Sequence, residues 1–267
     1  MSEHEVALTG GNINTGVVRV GDTVRRAMTP ASPAVHRLLL HLAQKEYAGS
    51  PRFLGIDEQG REILSYMEGE SGILDSNWQL DEALVAAARL LRRYHDATVD
   101  VAASDALPWA FRYPDPTQHE VICHNDFAPY NFIYRSGIPA AVIDFDLAGP
   151  GPRLRDVAYA AYWMVPLSFN SADQRAFAEA DISAGSRRLK LFCATYGIAA
   201  DPPLFDMMAE VLTHMGSKEA ARRMVGDEKA EYLEREGHLA HWQREAAAFQ
   251  AHRAQLEANV QKPRDQQ

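Results

Sequence analysis

The chain has 267 residues, with 27 basic against 36 acidic side chains, a formal net charge of −9 and 2 cysteines. A length of this order supports one large core or two lobes, and the acidic balance argues against a general nucleic-acid binder. Cys123 and Cys193 stand far apart, with no CxxC pair and no His-rich tract beside them, which excludes a disulfide or zinc framework.

The start, "MSEHEVALTG", lacks a signal-peptide core, and the longest apolar run, "VAYAAYWMVPL", is too short to span a bilayer. The expectation is a soluble, cytoplasmic protein with neither a membrane nor a nucleic-acid partner. A small cationic ligand suits the charge.

In chain order, "EVALTG", "GVVRVG" and "DTVRRAM" are short β-rich pieces broken by Gly and Asp. The dipeptide "GD" at 21–22 is a two-residue turn signal, so residues 17–20 and 23–26 are expected to pair. In "SPAVHRLLLHLAQKEY", Val35, Leu38, Leu39 and Leu42 recur at helical spacing, with Ser32 as the expected N-cap and Pro33 at the first helical position. "PRFLGIDEQGREILSYMEGE" then reads as a second hairpin turning at "DEQG".

The pattern changes after residue 68. "LDEALVAAARLLRRYHDAT" is an amphipathic helix with Leu80, Leu84, Ala87, Leu91 and Tyr94 on one stripe. From Arg153 to about Val260 the chain reads as helix after helix. The predicted organisation is α+β, with a β-rich lobe over 1–68, a hinge near 66–70 and a larger helical lobe over 69–267.

Between these parts lies "VICHNDFAPYNFIYRSGIPAAVIDFDLAGPGPRLRDVAY", residues 121–159, where apolar strands deliver polar residues to adjoining loops. Carboxylates beside buried strands cost free energy unless something pairs with them. The ordered set His124, Asp126, Asn131 and Asp144 suits phosphoryl transfer, which needs a carboxylate at the acceptor hydroxyl and hard oxygen ligands for Mg²⁺ on the nucleotide phosphates. Asp146 is either a further magnesium contact or a solvated loop residue. Asp156 is expected to cap its helix or hold the catalytic loop's backbone, and His124 to hold the loop by hydrogen bonds. A Cys123 nucleophile is disfavoured, because strand neighbours such as His124 point to opposite faces.

"ICHNDFAPYNFIY" followed by "AVIDFDLAGPGPRLRDVAY" resembles the aminoglycoside phosphotransferase family, relatives of the protein kinases. The resemblance implies a protein-kinase-like bilobal fold with ATP or GTP in the inter-lobe cleft. It places Asp126 at the family's catalytic Asp, and Asn131 and Asp144 at its magnesium ligands. The implied reaction is Mg²⁺-dependent transfer of the γ-phosphate to a hydroxyl of a small molecule, an aminoglycoside-type antibiotic first, a choline- or homoserine-like metabolite otherwise.

Three features depart from the family's pattern. "LTGGNINTGVVRVG" is not a clean glycine-rich phosphate loop. The third-strand cation is Arg25 or Arg26 instead of Lys, and the hairpin register, with Arg25 across from Val18, favours Arg25. The helical Glu that pairs with this cation is not apparent in "SPAVHRLLLHLAQKEYAGS", where His36 stands near its expected place and Glu46 comes too late. That absence motivates a rival reading, an inactive nucleotide-binding regulator. A metal-dependent hydrolase ranks last, for want of a second His or carboxylate cluster.

The backbone around Tyr66, Met67 and Glu68 is the expected purine-binding hinge. Asp181, Asp201, Asp206, Glu210, Glu234 and Glu236 are acids available for a cationic acceptor, and Trp109, Tyr113, Trp163 and Trp242 are candidates for an aromatic wall, with none assigned.

Overall fold

The computed structural model describes residues 4–8, 16–72, 80–101, 107–165 and 179–262, those at 179–182 by their backbone alone. Residues 9–15, half of the glycine-bearing stretch 8–21, lie outside the described residues, as does the side chain of Asp181.

The first part is a five-stranded antiparallel sheet in the order β1-β2-β3-β5-β4. It comprises β1 (Glu5–Ala7), β2 (Val18–Val20), β3 (Thr23–Ala27), β4 (Phe53–Ile56) and β5 (Arg61–Ser65). The β2–β3 hairpin turns at Gly21–Asp22 with Val18 opposite Arg25 and Val20 opposite Thr23, the expected register. Helix α1 (Ser32–Gln44) buries Val35, Leu38, Leu39 and Leu42. At roughly 1.5–3 kcal/mol for each fully buried aliphatic side chain, this stripe is a principal source of the lobe's cohesion. Ser32 opens the helix as its first residue and Ala31 occupies the cap position. The Ser32 hydroxyl reaches back to accept the Thr29 amide at 2.9 Å.

After β5 the chain leaves this sheet. The short β6 (Glu70–Ser71) pairs with β8 (Phe132–Arg135), which pairs in turn with β9 (Ile138–Val142). Gly69 allows the crossover, because its φ is 143° and a Cβ there would sit 2.5 Å from the Tyr134 carbonyl oxygen.

Helix α2 (Asp81–Thr98) buries Leu84, Ala87, Leu91 and Tyr94, whereas Leu80, expected on that stripe, stands at the cap and is exposed. Strand β7 (Val121–Cys123) pairs with β10 (Gly149–Gly151), and helices α3 (Arg153–Met164), α4 (Glu179–Tyr196), α5 (Pro202–Met215), α6 (Lys218–Val225), α7 (Asp227–Arg235) and α8 (His238–Gln261) follow. The apolar faces of α3, α4, α5 and α8 close one core with α2, which includes Phe192, Phe205 and Phe249. No described helix is long and apolar enough to cross a membrane.

Candidate active site

Two loops meet beneath the sheet. The first follows β7. The His124 and Asn125 amides donate to the two oxygens of Asp156 on α3, at 2.6 and 2.8 Å. His95 of α2 bonds the same carboxylate at 3.0 Å and is held by the Tyr196 hydroxyl at 2.7 Å. Burial alone would raise the Asp156 carboxyl, but the bonds from His95 and the loop amides hold it below the usual carboxylate range.

Asn125 sits in the left-handed region at φ 62°, a conformation that Asn tolerates better than most residues. Its amide nitrogen donates to the Leu147 carbonyl and its oxygen accepts from Arg155, both at 2.9 Å. His124 is fully buried, and its Nε2 donates to the Ile143 carbonyl at 3.1 Å. Burial pushes its imidazole down, so it stays neutral and serves as a strut between the two loops.

This loop presents Asp126. Its Oδ1 accepts the Tyr130 hydroxyl and, at 3.1 Å, the Tyr159 hydroxyl. Its Oδ2 accepts the Asn131 Nδ2 at 2.8 Å. With its nitrogen bonded to Asp126, the amide oxygen of Asn131 is the atom that would meet a cation. Burial, reinforced by the Asp126 charge, raises both phenols well above their ordinary range, so they remain donors.

The second loop follows β9. Asp144 adopts φ 63°, also left-handed, and opens a single 3₁₀ turn over Phe145–Leu147. The Ile143 amide donates to the Asn131 carbonyl at 2.9 Å, which ties this loop to the first. Burial, together with the neighbouring charges of Asp146 and Asp126, raises the Asp144 carboxyl despite Arg26. A crowded anion beside an amide oxygen is a fitting donor set for Mg²⁺. Among the described residues no group of three or more His, Cys, Asp or Glu side chains forms a closed metal cage, so the phosphates would complete the shell. Gly149 lets the loop return under residues 109–113, because a Cβ there would lie 1.7 Å from the Phe111 carbonyl oxygen.

The expectation for Arg25 is corrected. Arg26 enters the cleft: its Nη2 reaches Asp146 at 2.5 Å, its Nη1 reaches Asp144 at 3.3 Å, and its Nε donates to Glu62. Arg25 lies on the opposite face, donating to Thr23 and lying 3.8 Å from Asp57. The register was read as it is, but the facing is set by β5, whose buried residues Glu62 and Leu64 lie on the Arg26 face. Burial opposes the Arg26 charge, yet Asp146, Glu62 and Asp144 together raise its pKa.

Glu62 was missed. At 1 % exposure it supplies from a strand the carboxylate that α1 lacks, and His36 Nε2 contacts its other oxygen at 2.5 Å. The signal was present in "REILS", where a Glu falls in phase with a buried Leu. Tyr159 was also overlooked, although it follows Asp156 by three residues and so shares its helix face.

At the hinge, the Tyr66 amide donates to the Asp22 carbonyl at 2.8 Å, and the Glu68 carbonyl accepts from Arg135 at 3.1 Å. Arg19 lies 3.6 Å over the Tyr66 ring and reaches the Glu68 carboxylate at 3.3 Å. Cys123 is buried, donates its thiol to the Pro152 carbonyl at 3.3 Å, and has its pKa raised by burial, which removes it as a nucleophile.

Residues 100–192, which hold both loops, match the family described as "Phosphotransferase enzyme family". A curated relative, the trifolitoxin immunity protein of Rhizobium leguminosarum bv. trifolii, is 40% identical over 151 residues, which is 55% of this chain and 56% of the relative. The match thus spans little more than half of that relative's length.

Solved structures share the fold at low identity. Choline kinase from Cryptosporidium parvum is 12% identical with a TM-score of 0.55, over 97% of this chain and 93% of that one. The ADP-bound aminoglycoside phosphotransferase APH(2'')-Ib is 14% identical with a TM-score of 0.51, over 91% and 93%. The architecture is therefore kinase-like, with a β-rich part followed by a helical one.

Proposed function

We propose that this protein is a small-molecule kinase that moves the γ-phosphoryl group of ATP or GTP, as its Mg²⁺ complex, to a hydroxyl acceptor. The observation that carries this reading is the Asp126 carboxylate fixed 2.8 Å from Asn131, in a loop tied through Ile143 to Asp144. Asp126 orients the acceptor hydroxyl and takes its proton. The acceptor oxygen forms a bond to the γ-phosphorus as the bond to the β–γ bridging oxygen breaks, and the nucleoside diphosphate leaves. Mg²⁺, when bound, neutralises phosphate charge; Asn131 and Asp144 would hold it. Arg26, backed by Glu62, steadies the phosphates, with a forked contact where an ammonium would make a point contact. Positioning and electrostatics supply the acceleration.

The Arg26–Glu62 pair removes the ground for an inactive regulator, since the cation has its carboxylate after all. The acceptor we propose is an antibiotic or toxin carrying a hydroxyl, of the aminoglycoside type first. The immunity-protein relative, with its 40% identity, favours a protective role. Two observations favour a second acceptor, a less cationic toxin. Glu210 is engaged by Tyr113 at 3.0 Å and Asp206 by Arg253 at 2.7 Å, and the side chains around Asp126 are aromatic.

The test is to incubate the protein with MgATP or MgGTP and a panel containing aminoglycosides, choline, homoserine and hydroxyl-bearing peptide toxins, with products read by ³¹P NMR. A phosphorylated product that disappears in Asp126→Ala supports the reading. Tight MgATP binding without phosphoryl transfer to any acceptor, water included, returns the protein to the regulator class.

A further inference from the structure

We infer that Tyr130 and Tyr159 are positioning residues for the transfer, their two hydroxyls holding Oδ1 of Asp126 so that Oδ2 is the edge offered to the acceptor. The inference rests on the role proposed above for Asp126.

A carboxylate has about four lone-pair directions, two on each oxygen. On Oδ1 both are taken, by the Tyr130 hydroxyl and by the Tyr159 hydroxyl at 3.1 Å. On Oδ2 one is taken, by Asn131 at 2.8 Å, and one is left. An Asp side chain turns readily about its last torsion, which has a broad, roughly two-fold profile. Three donors from three directions stop that rotation and choose which oxygen the acceptor meets.

The phenols are themselves fixed. Their oxygens lie 2.9 Å apart, with the single O–H proton of each directed to Asp126. The Tyr130 ring meets Trp163 edge-on at 5.4 Å between centroids, and the Tyr159 ring lies 6.2 Å from Trp242. Tyr130 comes from the catalytic loop and Tyr159 from α3, one helical turn beyond Asp156, which holds the same loop's amides. One face of α3 thus sets both the backbone of the loop and the side chain it presents.

A purely structural reading would make these two hydroxyls ordinary core phenols in need of a partner. Tyr162, on the same helix, supplies the comparison, because its hydroxyl donates to the buried Glu245 at 3.0 Å and not to Asp126.

The experiment compares Tyr130→Phe, Tyr159→Phe, their double variant and Tyr162→Phe, each keeping the ring. ADP release from MgATP is followed with water, gentamicin, choline, homoserine and the hydroxyl-bearing peptide toxins as acceptors, alongside MgADP affinity and melting temperature. The expected result is a fall in kcat of about tenfold or more in each of the first two, with MgADP affinity within threefold. The double variant loses less than the product of the singles, as residues of one network do. Tyr162→Phe lowers the melting temperature and leaves kcat unchanged. Wild-type turnover with kcat within twofold in both single variants, or an equal loss in Tyr162→Phe, overturns this inference alone. Wild type that binds MgATP and never releases ADP overturns the kinase reading and this inference with it.

Discussion

Arg26 and Glu62 face one another across the register of β3 and β5, the guanidinium Nε donating to a carboxylate that is 1 % exposed. The pair does from two neighbouring strands what the kinase-like architecture is expected to do with a strand and a helix. The carboxylate is anchored from behind by His36, whose ring stacks on Phe53 at 3.8 Å between centroids.

Glu62→Gln is therefore expected to loosen the phosphate grip. MgATP affinity should fall about tenfold, ~1.4 kcal/mol, as read by calorimetric titration. Arg26→Ala should weaken it at least as much, and Arg25→Ala should leave it within twofold. Equal losses for the two arginines would contradict the assigned facing.

Asp126→Ala should cost about 10³-fold in turnover, within the range for removing an acid–base group, while MgATP binding stays within a few-fold. Asn131→Ala and Asp144→Ala should instead raise the Mg²⁺ concentration needed for half-maximal nucleotide binding. A magnesium titration of all three variants separates the roles.

Asp156 gives a pH-dependent contribution to stability. Its carboxyl lies below the usual range in the folded protein, so between the folded and unfolded values the unfolded chain binds more protons. The stabilisation is complete above the ordinary carboxylate value and fades as pH drops through the folded one. Asp156→Asn should lose about 3 kcal/mol in urea unfolding at pH 7, and the gap to wild type should narrow below pH 4, near the unperturbed Asp value. A gap that stays constant down to pH 3 would argue that the carboxylate charge is not what the loop amides need.

Gly149→Ala should destabilise by about 3 kcal/mol, since the new Cβ would collide with backbone and not with a yielding side chain. The urea midpoint is the measurement, and a shift too small to resolve would show that residues 109–113 can back away.

Much of this arrangement was legible from residue order. The "GD" turn fixed the β2–β3 register, the helical stripes of α1 and α2 located the core, and the spacing from His124 to Asp144 marked the two loops. The unread part has a common physical cause. Which face of β3 looks into the cleft depends on what β5 buries, a relation between strands some 36 positions apart. The cap falls at Ala31, one residue before Ser32, whose hydroxyl accepts the Thr29 amide across the turn at 30–31. Tyr130 and Tyr159 lie 29 positions apart, and only the closure of α3 onto the loop brings their hydroxyls together.

The strand pairs that bracket the two motif loops have a mechanical consequence. Since β7 is zipped to β10 and β8 to β9, each loop is pinned at both of its ends, and they share a crosspiece through Ile143 and Asn131. The lower jaw is in effect a single anvil. A swing of the β1–β5 sheet away from this floor would have to part Arg26 from Asp144 and Asp146.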